Sequence, residues 1–263
     1  MSVEFDHLEL GTPESTWSAD PRLYPGGADG RFDLAATLAS FSRVLVIAAH
    51  PDDESLGAGG LIAAAAARGA FVHVIVATNG EASHPDSRTH TALGLAEIRR
   101  REVRAAVAQL DLSARVTLLD LPDGRLSEHE HELADVIAAH LTEPTLLVTP
   151  WREDRHPDHE ACARAGAGAA RAATTVTHWQ YPIWLWHWAA PDDPDVPWST
   201  MQMLDLDPAA QRAKQRAIAC HVSQHEPLSD RPGDEAILPP RLIAHFARPF
   251  ETFVVTSDTE SRP

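Results

Sequence analysis

Val44-Leu-Val-Ile-Ala-Ala49 runs straight into His50-Pro-Asp-Asp-Glu54, and the reading of that junction decides the fold. The first six residues are a continuous apolar run rich in β-branched side chains, the composition of a strand buried on both faces. Pro51 cannot donate to a ladder, so the strand has to turn there, and an imidazole and several carboxylates crowd onto one short loop. Outward from this junction the texture repeats. Gly57–Arg68 is mostly alanine, with Gly69 placed to end a helix, and Phe71–Thr78 is a second buried-strand candidate. Ala92–Leu110 carries Leu95, Ile98, Val103, Val107 and Leu110 at helical spacing, with arginines on the other side. Val116–Leu119 and Leu146–Thr149 read as strands, His159–Ala173 and Asp207–His221 as helices, and Ser127-Glu-His-Glu130 has the form of a capping box. Residues 191–200 and 226–240 are proline-rich and read as loops. Strands alternating with helices of this length predict an α/β fold with a mostly parallel central sheet covered on both faces.

The chain has 263 residues, 44% of them hydrophobic, enough for a sizeable core. It reads as a single domain over residues 41–263. Before it comes an irregular extension, residues 1–40, where Pro13, Pro21 and Pro25-Gly-Gly27 interrupt any period. Lys and Arg number 22 against 38 Asp and Glu, a net charge of −16, which argues against a nucleic acid or an anionic membrane surface as partner. Apolar runs such as Val44–Ala49 and Leu61–Ala67 are far shorter than the roughly 18 residues of a membrane span. The acidic N-terminus lacks the form of a secretion signal. Two cysteines, Cys162 and Cys220, make no disulfide framework, so a reducing cytoplasm is the expected location.

Ligands of open parallel sheets bind at the carboxyl ends of strands. Two such ends carry unusual sequence: His50-Pro-Asp-Asp-Glu54, and Pro150-Trp-Arg-Glu-Asp-Arg155 leading into His156-Pro-Asp-His159. Adjacent carboxylates on a tight loop repel one another unless an ion or a proton holds them together. Catalytic zinc takes three His or carboxylate ligands and leaves a fourth position to water. His50 and Asp53 with one histidine of the second turn supply that set, leaving Asp52 and the other histidine for proton transfer. Taken alone, the first turn could be an acidic helix cap, and Glu54 suits a helix-start carboxylate; the second motif is what points to a metal. Other features have bland readings. Gly57-Ala-Gly-Gly60 has Ile62 where a dinucleotide fingerprint needs its third glycine. His84-Pro-Asp86 imitates the metal motif without its terminal histidine and reads as loop. Arg99-Arg-Arg101 reads as a solvated helix face, and Lys214 and His221 could face solvent. Trp184, Trp186 and Trp188 alternate, so in a strand they share one face, suited to a core, an oligomer interface or a sugar ring.

Ala49-His-Pro-Asp-Asp-Glu54 and His156-Pro-Asp-His159 resemble the two signature motifs of the PIG-L/LmbE family of zinc-dependent N-deacetylases. Thr78-Asn-Gly-Glu81, Ile98-Arg99 with Glu102, Leu121-Pro-Asp-Gly124, and Lys214, Ala217 and His221-Val-Ser-Gln224 agree with it, over residues 43–225. The resemblance implies a Rossmann-like three-layer sandwich, with His50, Asp53 and His159 ligating Zn2+, although such ligands also accept other divalent metals. It further implies Asp52 as the general base. His156, oriented by Asp158, would sit over the developing oxyanion and protonate the departing amine, and Arg88 would contact substrate. The implied activity removes an N-acyl group, first of all acetyl, from an amino sugar or its conjugate, a small-molecule partner, in a chain that could self-associate. The alternatives are a deacylase of another amide-bearing metabolite or glycosylated natural product, and a non-catalytic nucleotide-binding Rossmann-like module.

Overall fold

The computed structural model describes residues 10–24, 34–141, 144–173 and 175–255. A seven-stranded sheet is built from β1 (Arg43–Ala48), β2 (Phe71–Val76), β3 (Arg115–Leu118), β4 (Thr145–Pro150), β5 (Val176–Tyr181), β6 (Met201–Asp205) and β7 (Phe250–Val255). Helices α1 (Glu14–Ser18) and α2 (Leu34–Ala39) precede it, and α3 (Asp53–Ala66), α4 (Ala92–Leu110), α5 (Glu130–Ala138) and α6 (Pro157–Ala172) connect its parallel strands. The shorter α7 (Leu185–Trp188), α9 (Val222–His225) and α10 (Pro240–Ile243) flank α8 (Pro208–Ile218). The spatial order is β3-β2-β1-β4-β5-β7-β6. Strands β1 to β5 pair in parallel, and β7 runs antiparallel to β5 and β6.

The alternating strand residues explain the layers. Val44, Val46 and Ala48 of β1 share an apolar cluster with Leu61 of α3, Val103 of α4 and Ala217 of α8. Leu45 and Ile47 face the other way, into a cluster with Leu133 and Ile137 of α5 and Cys162 of α6. The result is the expected α/β sandwich, three layers deep. Beyond the fold class, the strand order positions the site. The chain leaves β1 for β2 and β3 on one side, then returns to the other side of β1 at β4, so the strand order reverses between β1 and β4. The crevice outside the carboxyl ends at such a reversal is where open α/β sheets bind ligands. The turns after β1 and β4 are the two sequence motifs.

Several expectations give way to packing. Helix α3 starts at Asp53, ahead of the expected Gly57, and its glycines serve close contacts: a Cβ on Gly57 would come within 2.1 Å of Tyr181 and one on Gly60 within 2.4 Å of Leu206. The capping box at Ser127 does not form, because residues Leu126–Glu128 make a 3-10 turn and α5 begins at Glu130 without a side-chain cap. Trp184, Trp186 and Trp188 do not share a strand face, since they lie on and just before α7. Trp186 meets Trp17 edge-on at 5.0 Å and Trp188 stacks on Trp151 at 6.5 Å. Trp17 is fully buried, and its Nε1 donates to the Trp186 carbonyl. The stretch read as an irregular surface extension therefore includes helices α1 and α2 and a core tryptophan, while residues 1–9 and 25–33 lie outside the described residues. Lys214 does not face solvent either: it is buried, 2.7 Å from Glu251, whose carboxylate also accepts the Gly60 and Leu61 amides of α3.

His73 on β2 is fully buried, and burial, with the charges of His140, Arg115 and Arg43, pushes its pKa down to about 4. An unfolded histidine titrates near 6.5. The unfolded chain thus takes a proton that the fold refuses, so this contribution is fully present above about pH 6.5 and is lost as pH falls toward 4. Urea unfolding at pH 7 and pH 5 is expected to show about 2 kcal/mol of lost stability from this residue. His73→Gln, which keeps a partner for the Thr117 hydroxyl, should remove that part of the loss; an unchanged difference between the two pH values would contradict the assignment.

Candidate active site

Both motifs are strand-to-helix turns, and the helix starts fix their side chains. In His156-Pro-Asp-His159, His156 is the N-cap of α6 and its Nδ1 accepts the Asp158 amide at 3.3 Å, with Pro157 in the first turn, where its missing N–H costs nothing. In the first motif Asp52 is the N-cap of α3, with φ 124°. A positive φ on a residue with a Cβ costs about 1–3 kcal/mol and is tolerated where surrounding structure enforces it. Here Glu54 and Gln224 enforce it: Glu54 accepts the Asp52 amide at 3.1 Å, the Ser55 hydroxyl at 2.6 Å and His221 Nε2 at 3.1 Å, and the Gln224 side-chain amide donates to the Pro51 carbonyl. Glu54 is structural, as its place at the helix start suggested, and His221 is a buried brace, not a solvent-facing residue.

The two turns meet. Asp53 Oδ2 accepts the Ala49 and His50 amides at 2.9 Å each, and its Oδ1 lies 3.3 Å from His159 Nε2. His50 Nδ1 is 3.7 Å from the same carboxylate. The outward nitrogen of each imidazole is held by further carboxylates. His159 Nδ1 is 2.7 Å from Asp154, which is fully buried and accepts the amides of Ile183, Trp184 and Leu185. His50 Nε2 is 3.1 Å from Asp123 and 3.3 Å from Asp158. A carboxylate on the outer nitrogen fixes the proton there and turns the other lone pair inward, the arrangement that supports metal-ligating histidines. The Asp158 carboxylate lies against His50, and Asp158 holds His156 through its backbone amide instead of the side chain; the carboxylate also accepts the Gly124 and Leu126 amides, which pulls it toward the β3–α5 loop. Of His156, the ring lies 4.8 Å from that of His50 and 4.6 Å from that of His159.

Charge follows from this geometry. Burial, and then the neighbouring Asp53 charge, pushes Asp52 up to about 7. Burial alone would raise Asp53 too, but the His159 and His50 imidazoles overcome it and hold the carboxyl well below its ordinary value. Burial opposes charge on His159, yet Asp53 and Asp154 lift it to about 9. His156 goes the other way: burial and the charges of His159 and His50 keep it neutral. Asp52, Asp53, Asp123, Asp154 and Asp158 thus surround the imidazoles, and such a cluster needs added positive charge, as protons or as a cation. The inward nitrogens of His50 and His159 face the Asp53 carboxylate, at 3.7 and 3.3 Å. The groups whose ligand atoms lie within 4.8 Å of one another, as a metal ion requires, are His50, His156 and His159, and His50, Asp123 and Asp158.

His50, Asp52, Asp53, Asp123, His156 and His159 line a cavity of about 920 Å³. Arg88 is exposed and is not part of the lining, because the loop that carries it is pinned by its neighbours His84 and Thr89. Arg99, which the sequence presented as a solvated face, does line the cavity, with Arg155 and Arg164. It is 2% exposed, Nη1 donates to the Gly80 carbonyl at 2.7 Å, and Nε and Nη2 have no protein partner. Gly80, at φ 64°, makes room for it: a Cβ there would lie 2.1 Å from Nη1. Sequence reasoning also left Asp123 and Asp154 without roles, although both sit inside stretches it had singled out.

Fold and site together define a Rossmann-like α/β domain with a His/Asp centre at its topological switch point. Residues 45–170 match the family described as PIG-L, GlcNAc-PI de-N-acetylase. A probable N-acetyl-alpha-D-glucosaminyl L-malate deacetylase 2 of Bacillus subtilis is 35% identical over 131 residues, 47% of this chain and 58% of that one. A 1D-myo-inositol 2-acetamido-2-deoxy-alpha-D-glucopyranoside deacetylase of Mycolicibacterium vanbaalenii is 32% identical over 170 residues, 55% of this chain and 58% of that one. The match therefore spans less than two thirds of these relatives' length. Among solved structures, an N,N'-diacetylchitobiose deacetylase from Pyrococcus horikoshii shares the fold, with TM-score 0.57 and 19% identity over 81% of this chain and 80% of that one.

Proposed function

We propose that the protein is a metal-dependent hydrolase that removes an N-acyl group, acetyl first of all, from an amino sugar or a conjugate of one. The observation that supports this reading is the Asp53 carboxylate set between two imidazoles, 3.7 Å from His50 and 3.3 Å from His159, beside a second carboxylate, Asp52, pushed up to about 7. The relatives named as deacetylases of N-acetylglucosamine derivatives favour the same chemistry. The metal, zinc in this proposal, would be held by His50, Asp53 and His159; when bound, such an ion polarises a carbonyl and acidifies water.

The chain's own residues then divide the work. Asp52 takes a proton from the attacking water, a task suited to a group that titrates near neutrality. His156 is neutral and its Nδ1 accepts the Asp158 amide, so its proton sits on Nε2, where it can donate to the amide oxygen as negative charge develops. The C–N bond breaks as the nitrogen takes up the proton held by Asp52, giving a carboxylate and a free amine. Asp123 and Asp158 hold His50, and Asp154 holds His159. Arg99 offers its unpartnered Nε and Nη2 to a substrate oxygen.

The zinc-loaded protein should release acetate and a free amine from N-acetylglucosamine conjugates in preference to unrelated amides. Absence of amide hydrolysis across such a panel would end the proposal. Arg99→Met is expected to lower kcat/KM about 10–100-fold, the worth of a lost charge-assisted hydrogen bond, mainly through KM; unchanged KM would remove Arg99 from the substrate's contacts. Cys162 and Cys220 are free thiols, which suits the cytoplasmic location we propose. Among the described residues no helix is long and apolar enough to cross a membrane.

A further inference from the structure

The amino ends of the central strands, opposite the His/Asp centre, gather basic side chains that the deacylase chemistry does not use. In the parallel register Arg43 of β1 stands beside Phe71 of β2, and His73 of β2 beside Arg115 of β3. Side chains two apart on a strand share a face. Arg43, Phe71, His73 and Arg115 therefore stand on the same side of the sheet as Leu45 and Ile75, the side that α5 covers. His140, which follows α5, completes the group with its ring 4.7 Å from that of His73. None of these residues lines the cavity at the carboxyl ends.

The group lacks a counter-charge. Among the described residues no carboxylate lies within 4.0 Å of Arg43, His73, Arg115 or His140, and neither arginine donates to the carbonyls that end α5. His73 is fully buried; its Nε2 lies 2.9 Å from the Thr117 hydroxyl, while Nδ1 has no partner. Arg43 Nε is also buried without a partner. The Arg43 guanidinium lies 4.6 Å from the centre of the Phe71 ring, and stacking of this kind fixes the group while leaving its in-plane N–H donors free. Arg115 is exposed, and Arg43 and His140 are half-buried, so solvent reaches the group. Burial and then the charges of His140, Arg115 and Arg43 push His73 down to about 4, and burial with Arg115 and Arg43 pushes His140 down. No other charged group among the described residues faces the two imidazoles. In a chain of net charge −16, such a concentration of unpaired basic side chains is a local exception, and it attracts anions.

We propose that Arg43, Arg115 and His140, backed by His73, form a second ligand site at the amino ends of β1 to β3, for a tetrahedral dianion of the phosphoryl class. The site is independent of the deacylase reading. A bound dianion offsets the repulsion that keeps the imidazoles neutral, so binding draws a proton onto them and tightens as pH falls. Sulfate, a dianion throughout the range tested, is the probe. By calorimetry on the zinc-loaded full chain, with ionic strength held constant by chloride, sulfate should bind with a Kd below about 5 mM at pH 5.5. It should bind about tenfold more weakly at pH 7.5, as uptake of one proton requires. The double variant Arg43→Gln/Arg115→Gln should weaken binding at least about tenfold, since it removes two charge-assisted donors. His140→Gln should reduce the pH dependence, and thermal melts confirm that each variant folds. Arg99→Met, altered in the other cavity, should bind sulfate as the wild type does. Inorganic phosphate and glucose 6-phosphate separate the sources: equal affinities assign the site to the phosphoryl group itself, and preference for the ester assigns it to a phosphorylated metabolite. Failure of sulfate to bind the wild-type chain at 10 mM and pH 5.5, or unchanged binding in the folded double variant, would overturn the proposal. So would an unreduced pH dependence in His140→Gln, or loss of binding in Arg99→Met.

Discussion

Asp52→Ala is expected to lower turnover about 10²–10⁴-fold, the usual worth of a general base, while the purified protein keeps its metal. The two effects separate because Asp53, not Asp52, lies against the imidazoles: its carboxylate is 3.3 Å from His159 and 3.7 Å from His50. Burial and the Asp53 charge push Asp52 up to about 7, so the carboxylate form needed to accept a proton grows as pH rises. A cation beside it pulls that value down, but the sign is unchanged: the wild-type rate should fall on the acid side, and that limb should vanish in Asp52→Asn. Backbone strain supplies a second signature. At φ 124° a glycine is at ease where aspartate is not, so Asp52→Gly should unfold at a higher temperature than Asp52→Ala. Metal analysis, kcat against pH and thermal melts on the three variants check this. An Asp52→Ala enzyme retaining more than a tenth of wild-type turnover would remove Asp52 from the chemistry.

What was legible beforehand, and what was not, follows from the range of the forces involved. The junction Val44–Glu54 is local. A β-branched run that meets Pro51 has one economical outcome, and the strand and the turn appear as read, with the helix starting four residues early at Asp53. The same holds for α4, whose apolar spacing returned its bounds, Ala92–Leu110, and whose N-cap Thr91 accepts the Gly94 amide. Tertiary contacts decided the rest. Helical spacing does single out Arg99, which stands four residues from both Leu95 and Val103 on the buried face of α4, but its fit there depends on the hole left by Gly80 nineteen residues earlier. Trp184, Trp186 and Trp188 alternate as strand residues do, but Asp154 collects the amides of Ile183, Trp184 and Leu185 and favours a helical turn there. Asp158 gives its amide to the histidine beside it in sequence and its carboxylate to one from the other turn. Motifs disclosed which residue types would meet; which carboxylate serves which ring is a property of the meeting.

Removal of the metal, or of Asp53, should abolish activity altogether, and the apo protein should be measurably less stable. The argument is one of charge. Without a cation, the carboxylates around the centre are offset in part by protons on His50 and His159, both raised, the latter to about 9. Binding a divalent ion must displace those protons, so affinity should rise with pH, and metal uptake should acidify an unbuffered solution. An ion bound only by the folded chain stabilises it by about 2.7 kcal/mol at a hundred times its Kd, worth several degrees in Tm for a chain of this size. Zinc added to EDTA-stripped wild type should therefore raise Tm and restore turnover. Asp53→Ala should lose both responses, because it removes a ligand and leaves the Ala49 and His50 amides without their acceptor. Asp154→Asn should bind zinc about 10–100-fold more weakly while keeping the same three ligands, as expected when only the support of a ligating histidine is altered. Full turnover by the stripped wild-type protein, or a zinc-dependent Tm rise that survives in Asp53→Ala, would mean that the two turns meet for some purpose other than holding a metal between His50, Asp53 and His159.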